Sequence, residues 1–190
     1  MFAKLLAQFP AYTIVEKPTP ELIARYRDMV PAELLEVWEQ YGFGTFRDGY
    51  LKIVNPDDYT DLLADTYQLI STPSASPPIV LFATAMGDLL VWEMGYLSLV
   101  DYRHGDVSII GKNLNLFFKN HADDFNPRER LLWEPYPAAR ERFGEPAFDE
   151  CFGYVPLLAL GGRETVDYLE KVKLREHIAL IGQMTGVLER

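Results

Sequence analysis

The sequence predicts an α+β fold: an antiparallel sheet packed with helices. Three observations carry that reading. Four apolar runs between residues 79 and 110 are separated by turns too short for anything but antiparallel neighbours. Segments with helical spacing lie on both sides of them. At 48% hydrophobic and 24% charged residues, the chain has the composition of a globular protein with a real core.

Taken in order, Thr19-Pro20-Glu21 predicts a capped helix start, with Leu22, Ile23 and Tyr26 facing inward. The stretch from Val30 to Tyr59 is central to the organisation of the chain. Pro31 suits the first position of a helix, and Leu34, Leu35, Trp38 and Tyr41 make one apolar face. Gly42 is its stop. Phe43–Arg47 and Tyr50–Val54 flank Asp48-Gly49, a strong hairpin signal. Asn55-Pro56-Asp57-Asp58 then predicts an N-cap, a first-turn proline and an acidic first turn. That helix is expected to run to about Ile70, with Tyr59, Leu62, Leu63 and Thr66 or Tyr67 inward.

Thr72 to Pro78 reads as a loop, and the four strands Ile79–Thr84, Leu89–Glu93, Tyr96–Asp101 and Val107–Ile110 as a meander. A helix is expected over Leu114–His121. Asn126–Glu150 is less regular and contains four prolines, so the boundary between two parts, 1–125 and 126–190, is placed there. Pro137 opens a short helix ending near Gly144. Tyr154–Leu160 is an apolar run ending in Gly161-Gly162, Val166–Val172 reads as a strand, and Leu174–Met184 as a helix stopped by Gly186. A C-terminal part of this size is marginal alone, so it is expected to dock on the first.

Several classes of function are disfavoured. No apolar run approaches the roughly 20 residues of a membrane span. The N-terminal segment lacks a signal peptide's long apolar region and cleavage site. One cysteine, Cys151, excludes an internal disulfide and fits a reducing compartment, so the expected location is cytoplasmic. The net charge is −10, and residues 1–150 carry all of the acidic excess. Phosphate contacts need lysine and arginine, so nucleic acid is not an expected direct partner. A basic protein is.

No reactive constellation emerges. His104, His121 and His177 lie in no recognised motif, and Cys151 has no histidine signature. His121, Asp123 and Asp124 have metal-binding side chains but not the spacing of a metal motif. Neither Gly42/Gly44 nor Gly161-Gly162 has the context of a phosphate loop. The expectation is therefore no catalytic residue, no metal and no cofactor. One feature is unusual. Asp57, Asp61 and Asp65 fall four apart on the helix begun at Pro56, and no lysine or arginine between 53 and 102 relieves them. A solvated face explains that spacing. So does an acidic strip offered to a basic partner, and these three residues are the candidate partner contact.

The phrase VPAELLEVWEQYGFGTFRDGYLKIVNPDDY, followed by LFATAMGDLLVWE, resembles the GAD-like domain of bacterial proteins. YVPLLALGGRETVDYLEKVKLREHIALI resembles the C-terminal domain usually paired with it, in type VI secretion immunity proteins that protect against a secreted DNase. The first part is more distantly similar to the SUKH superfamily of immunity domains. Met86 stands where relatives often carry an aromatic. The matching residues, such as Pro31, Trp38, Gly42, Gly44, Gly87-Asp88, Trp92, Tyr154 and His177, bring no catalytic set. The resemblance implies a non-enzymatic cytoplasmic inhibitor that occludes the basic active surface of a toxin. Two alternatives are a small-molecule regulatory module using Trp38 and Trp92, and a hydrolase using His104 or His121 with Asp123 and Asp124.

Overall fold

Seven strands lie side by side in a single antiparallel sheet in the computed structural model, which describes residues 12–70, 76–122 and 132–190. The strands are β1 (Thr13–Glu16), β2 (Phe43–Phe46), β3 (Leu51–Ile53), β5 (Ile79–Thr84), β6 (Leu89–Glu93), β7 (Tyr96–Asp101) and β8 (Asp106–Gly111), in that spatial order. The meander β5–β8 and the β2–β3 hairpin stand where the sequence puts them. The turn Arg47–Tyr50 closes with Tyr50 N donating to Arg47 O at 3.1 Å, and Asp48 and Gly49 both have positive φ. That is the geometry the Asp-Gly pair is suited to.

The helices are α1 (Pro20–Tyr26), α2 (Ala32–Tyr41), α3 (Thr60–Thr66), α4 (Leu114–Ala122), α5 (Tyr136–Phe143) and α6 (Leu174–Thr185). Thr19 caps α1, its Oγ1 accepting from Leu22 N at 3.2 Å. Gly42 ends α2 and donates to Trp38 O at 2.8 Å. Both faces of the sheet are covered. Along β6, Leu90 belongs to the core cluster shared with α1, α2, α4 and α5, whereas Leu89 and Val91 belong to the cluster shared with α3 and α6. Two covered faces explain why β5 reads IVLFAT with every residue buried instead of alternating.

Four expectations need correction. The helix begun at Pro56 does not reach Ile70. Residues Pro56–Tyr59 form a 3-10 turn, α3 ends at Thr66, and Tyr67–Gln68 become a short strand, β4. β4 pairs in parallel with β11 (Leu188–Glu189), and that distant pairing takes the chain out of helix. The apolar run from Tyr154 hides a strand that ends there, β9 (Glu150–Tyr154). Its partner β10 spans Leu169–Lys173, because Val166–Tyr168 make a 3-10 turn instead of the start of a strand. β1 was not expected at all.

The second part docks through backbone as well as side chains. Ala85 N donates to Tyr50 O, and Phe152 N donates to Ala85 O, both at 2.7 Å. The two core clusters each contain residues from before and after position 125: Phe152, Tyr154 and Leu169 in one, Cys151, Leu174 and Ile178 in the other.

Candidate partner-binding surface

Asp57, Asp61 and Asp65 are all exposed, but they do not form one helical row. Asp57 lies in the 3-10 turn, and only Asp61 and Asp65 share α3. Asp57 is also engaged: Arg25 Nη1 approaches its Oδ2 at 2.7 Å, and Tyr26 Oη donates to its Oδ1 at 2.7 Å. The relief missing within the helix comes from α1. Asp61 and Asp65 have no ion-pair partner among the described residues. Helix α3 holds them outward because Leu62, Leu63 and Thr66 are buried on its other side, where Thr66 Oγ1 meets Tyr102 Oη at 2.8 Å.

The polar groups with the chemistry to react are buried and tied to structure. Asp88 is 0% exposed and receives hydrogen bonds from both Nε and Nη2 of Arg103, the shortest at 2.7 Å from Nη2. Burial raises the Asp88 carboxyl, and Arg103 opposes that rise. Thr84 Oγ1 accepts from Asp88 N at 3.1 Å and from Met86 N at 3.2 Å, which fixes the Met86-Gly87 turn. Lys52, also 0% exposed, donates to the carbonyls of Ala147 (2.8 Å), Phe148 (3.1 Å) and Glu150. Burial pushes its ammonium down to about 8. Glu93 is buried among Tyr67 Oη, Ser98 Oγ and the Arg190 guanidinium.

His104, His177 and Cys151 have structural neighbours, and the side chain of His121 lies outside the described ones. His104 lies in the β7–β8 turn, with Nδ1 2.7 Å from Asp101 and Nε2 2.8 Å from Glu164. Burial disfavours its charge, but the bonds to Glu164 and Asp101 outweigh that and hold it above its ordinary value. Burial lowers His177, which lies against Gly153 and Gly87. The Cys151 thiol is pushed up to about 12 by burial, which makes it a poor nucleophile. No group of three or more His, Cys, Asp or Glu suited to a metal occurs among the described residues. Asp123 and Asp124 lie outside them. Trp38, one of the two residues required for a ligand pocket, is 0% exposed between Tyr26 and Phe43.

Sequence reasoning missed the buried charges Lys52, Asp88, Glu93 and Arg103. The available signal was a single charge inside an apolar strand, as in Leu51-Lys52-Ile53.

Fold and surface together define an acidic α+β protein in which, among the described residues, Lys52, Asp88 and Glu93 are tied to structure while Asp61 and Asp65 face solvent. The family model for the GAD-like domain matches residues 1–102, and that for the T6SS immunity protein Tdi1, C-terminal, matches residues 111–185. The chain belongs to the GAD-like domain family and continues into the Tdi1 C-terminal domain, which supports an immunity role against type VI toxins and, with it, binding of a cognate toxin. Among solved structures, the crystal structure of Atu4351 from Agrobacterium tumefaciens is similar, with a TM-score of 0.81, 18% identity and coverage of 96% of this chain and 89% of that one. At that identity the likeness is one of fold. No curated protein matches. No helix among the described residues is long and apolar enough to cross a membrane.

Proposed function

We propose that the protein is a cytoplasmic, non-enzymatic inhibitor that binds a type VI toxin with nuclease activity and covers its basic substrate surface. A nuclease must be basic where it holds phosphate. An acidic inhibitor occupies that surface by charge complementarity, and the same field speeds the encounter. The observation that carries this reading is the net charge of −10, with Asp61 and Asp65 presented unpaired on an exposed helix face. Asp57 borders the same surface, already half-neutralised by Arg25.

The test uses the cognate type VI toxin. Replacing Asp61 and Asp65 with lysine is expected to slow association about tenfold or more at low salt, and the effect is expected to shrink as salt rises. Adding Asp57→Lys is expected to lose stability as well, because Arg25 then faces a like charge. Unchanged association of the double variant removes α3 from the contact. Full protection against the toxin by a variant that no longer binds it removes the inhibitor reading itself.

A further inference from the structure

We infer that the groove between the Asp48-Gly49 turn and α5 receives an arginine side chain from the toxin. This rests on the proposal that the protein is an acidic inhibitor, and it adds a second, shaped contact to the flat strip on α3. The groove has a volume of about 580 Å³ and is lined by Asp48, Trp133, Tyr136, Arg140, Glu141 and Glu145, among others. That is within the range of specific binding sites and larger than one side chain needs.

Three features fit a guanidinium. First, the rim carries three carboxylates and one arginine. Arg140 pairs loosely with two of them, 3.9 Å from Asp48 and 3.6 Å from Glu145 with its side chain 42% exposed, and one arginine against three carboxylates leaves the rim net negative. Lys171 reaches the same turn but donates to the Glu145 backbone oxygen at 3.2 Å, not to its carboxylate. Second, the floor is aromatic. Trp133 and Tyr136 pack edge to face at 5.6 Å, and the protein already sets one guanidinium, that of Arg47, 5.0 Å from the Trp133 ring centroid. Arginine stacks on such rings while its planar fork pairs with carboxylates, which a lysine does less well. Third, Trp133 is only 8% exposed, and its buried Nε1–H has no acceptor among the described residues. A carbonyl of the entering toxin segment supplies one when the indole turns outward.

The rim is also held in place before any partner arrives. Tyr136 Oη donates to Asp48 O at 2.6 Å. Glu145 lies over Gly49, where an added Cβ would come within 2.6 Å of its Cγ. Carboxylates fixed in advance bind with a smaller ordering cost.

The experiment is a titration of acetyl-arginine amide onto the 15N-labelled full chain. The chain has three tryptophans, and Trp133→Phe assigns the relevant indole signal. The Trp133 indole resonance is expected to move saturably with acetyl-arginine amide and not with the uncharged citrulline analogue. Asp48→Asn with Glu141→Gln, both conservative changes at exposed side chains, is expected to weaken that binding at least fivefold. Movement with both analogues alike, no saturable movement, or equal binding by the variant overturns the arginine site. With the cognate toxin, the same variant is expected to dissociate at least tenfold faster, since shaped contacts act on the off-rate. An unchanged off-rate overturns the site's role in the toxin contact. The inhibitor reading is decided separately: full protection against the toxin by a variant that no longer binds it overturns that reading and leaves the arginine titration unaffected.

Discussion

Lys52 offers the sharpest test of how the second part is pinned to the sheet. Its ammonium sits inside the protein, capping three carbonyls of the Ala147–Glu150 turn. An ordinary lysine titrates at 10.5, and in the folded chain burial lowers Lys52 to about 8. Between those values the unfolded chain holds the proton and the folded chain does not. Stability therefore rises with pH across that window, by about 3 kcal/mol in full and about 2 kcal/mol between pH 7 and 9.5. Cys151 works the other way: its thiol ordinarily titrates at 9.0 and is raised to about 12 on folding, so stability is lost as the unfolded thiol ionises. Buried tyrosines such as Tyr50 and Tyr59 act in the same direction. The wild type alone therefore shows a nearly cancelled profile. The difference between wild type and Lys52→Met does not, because Cys151 and the tyrosines are common to both. The assay is urea unfolding of both proteins at pH 7, 8.5 and 9.5. Lys52→Met orphans three carbonyls, which shifts its curve at every pH, but the gap between the curves is expected to widen by about 2 kcal/mol towards pH 9.5. Parallel profiles would refute the reasoning, because they would mean that Lys52 folds with its pKa unchanged.

Three further outcomes are expected. Arg190→Ala leaves Glu93, 0% exposed, beside only Tyr67 and Ser98; it is expected to lower unfolding free energy by about 2 kcal/mol, below the range for fully buried pairs because Arg190 is partly exposed, and Glu93→Gln in that background to restore part of it. Gly153→Ala places a Cβ 2.8 Å from Val172 Cγ2 and into the His177 ring, and is expected to lower the thermal midpoint by far more than Gly111→Ala, where no described residue lies within 4 Å of an added Cβ and φ is not positive. The parts we divide near residue 125 are expected to unfold in one transition by circular dichroism and tryptophan fluorescence alike, because both core clusters draw on both parts.

Local signals were legible. Thr19 before Pro20, Gly42 after Tyr41, Asp48-Gly49 and Gly186 each act through neighbours a few residues away, and each element stands where those residues put it. What was not legible depends on partners far along the chain. Tyr67–Gln68 continue a helical pattern, yet they pair with Leu188–Glu189. Glu150–Tyr154, ECFGY, has neither alternation nor a β-branched run, and it is a strand because Leu169–Lys173 lies beside it. The charges fail for the same reason. Asp57 reads as one of three free aspartates until Arg25, 32 residues earlier, comes within 2.7 Å. Lys52 and Glu93 are single charges in apolar strands, and both are inside because helices or the C-terminal part cover the second face.

The same division bears on how an immunity protein of this fold would distinguish partners. Several of the residues that carry the family resemblance have little access to a partner. Trp38 is ringed by Tyr26 and Phe43, Asp88 is locked to Arg103, Tyr154 is buried, and His177 fills the space that Gly153 leaves. Substituting them disturbs packing or leaves a buried charge unpaired, so they hold the fold whatever the toxin. The side chains of Asp61, Asp65, Asp48 and Glu141 face solvent. Exchanging them costs little stability, because exposed charges contribute little to it. Recognition can then change at these positions while the scaffold stays the same. On the inhibitor reading, grafting the exposed carboxylates of one such protein onto another should move association rate and partner choice together, with the melting temperature nearly unchanged. A graft that melts far lower would mean that contact and scaffold are not separable in this fold.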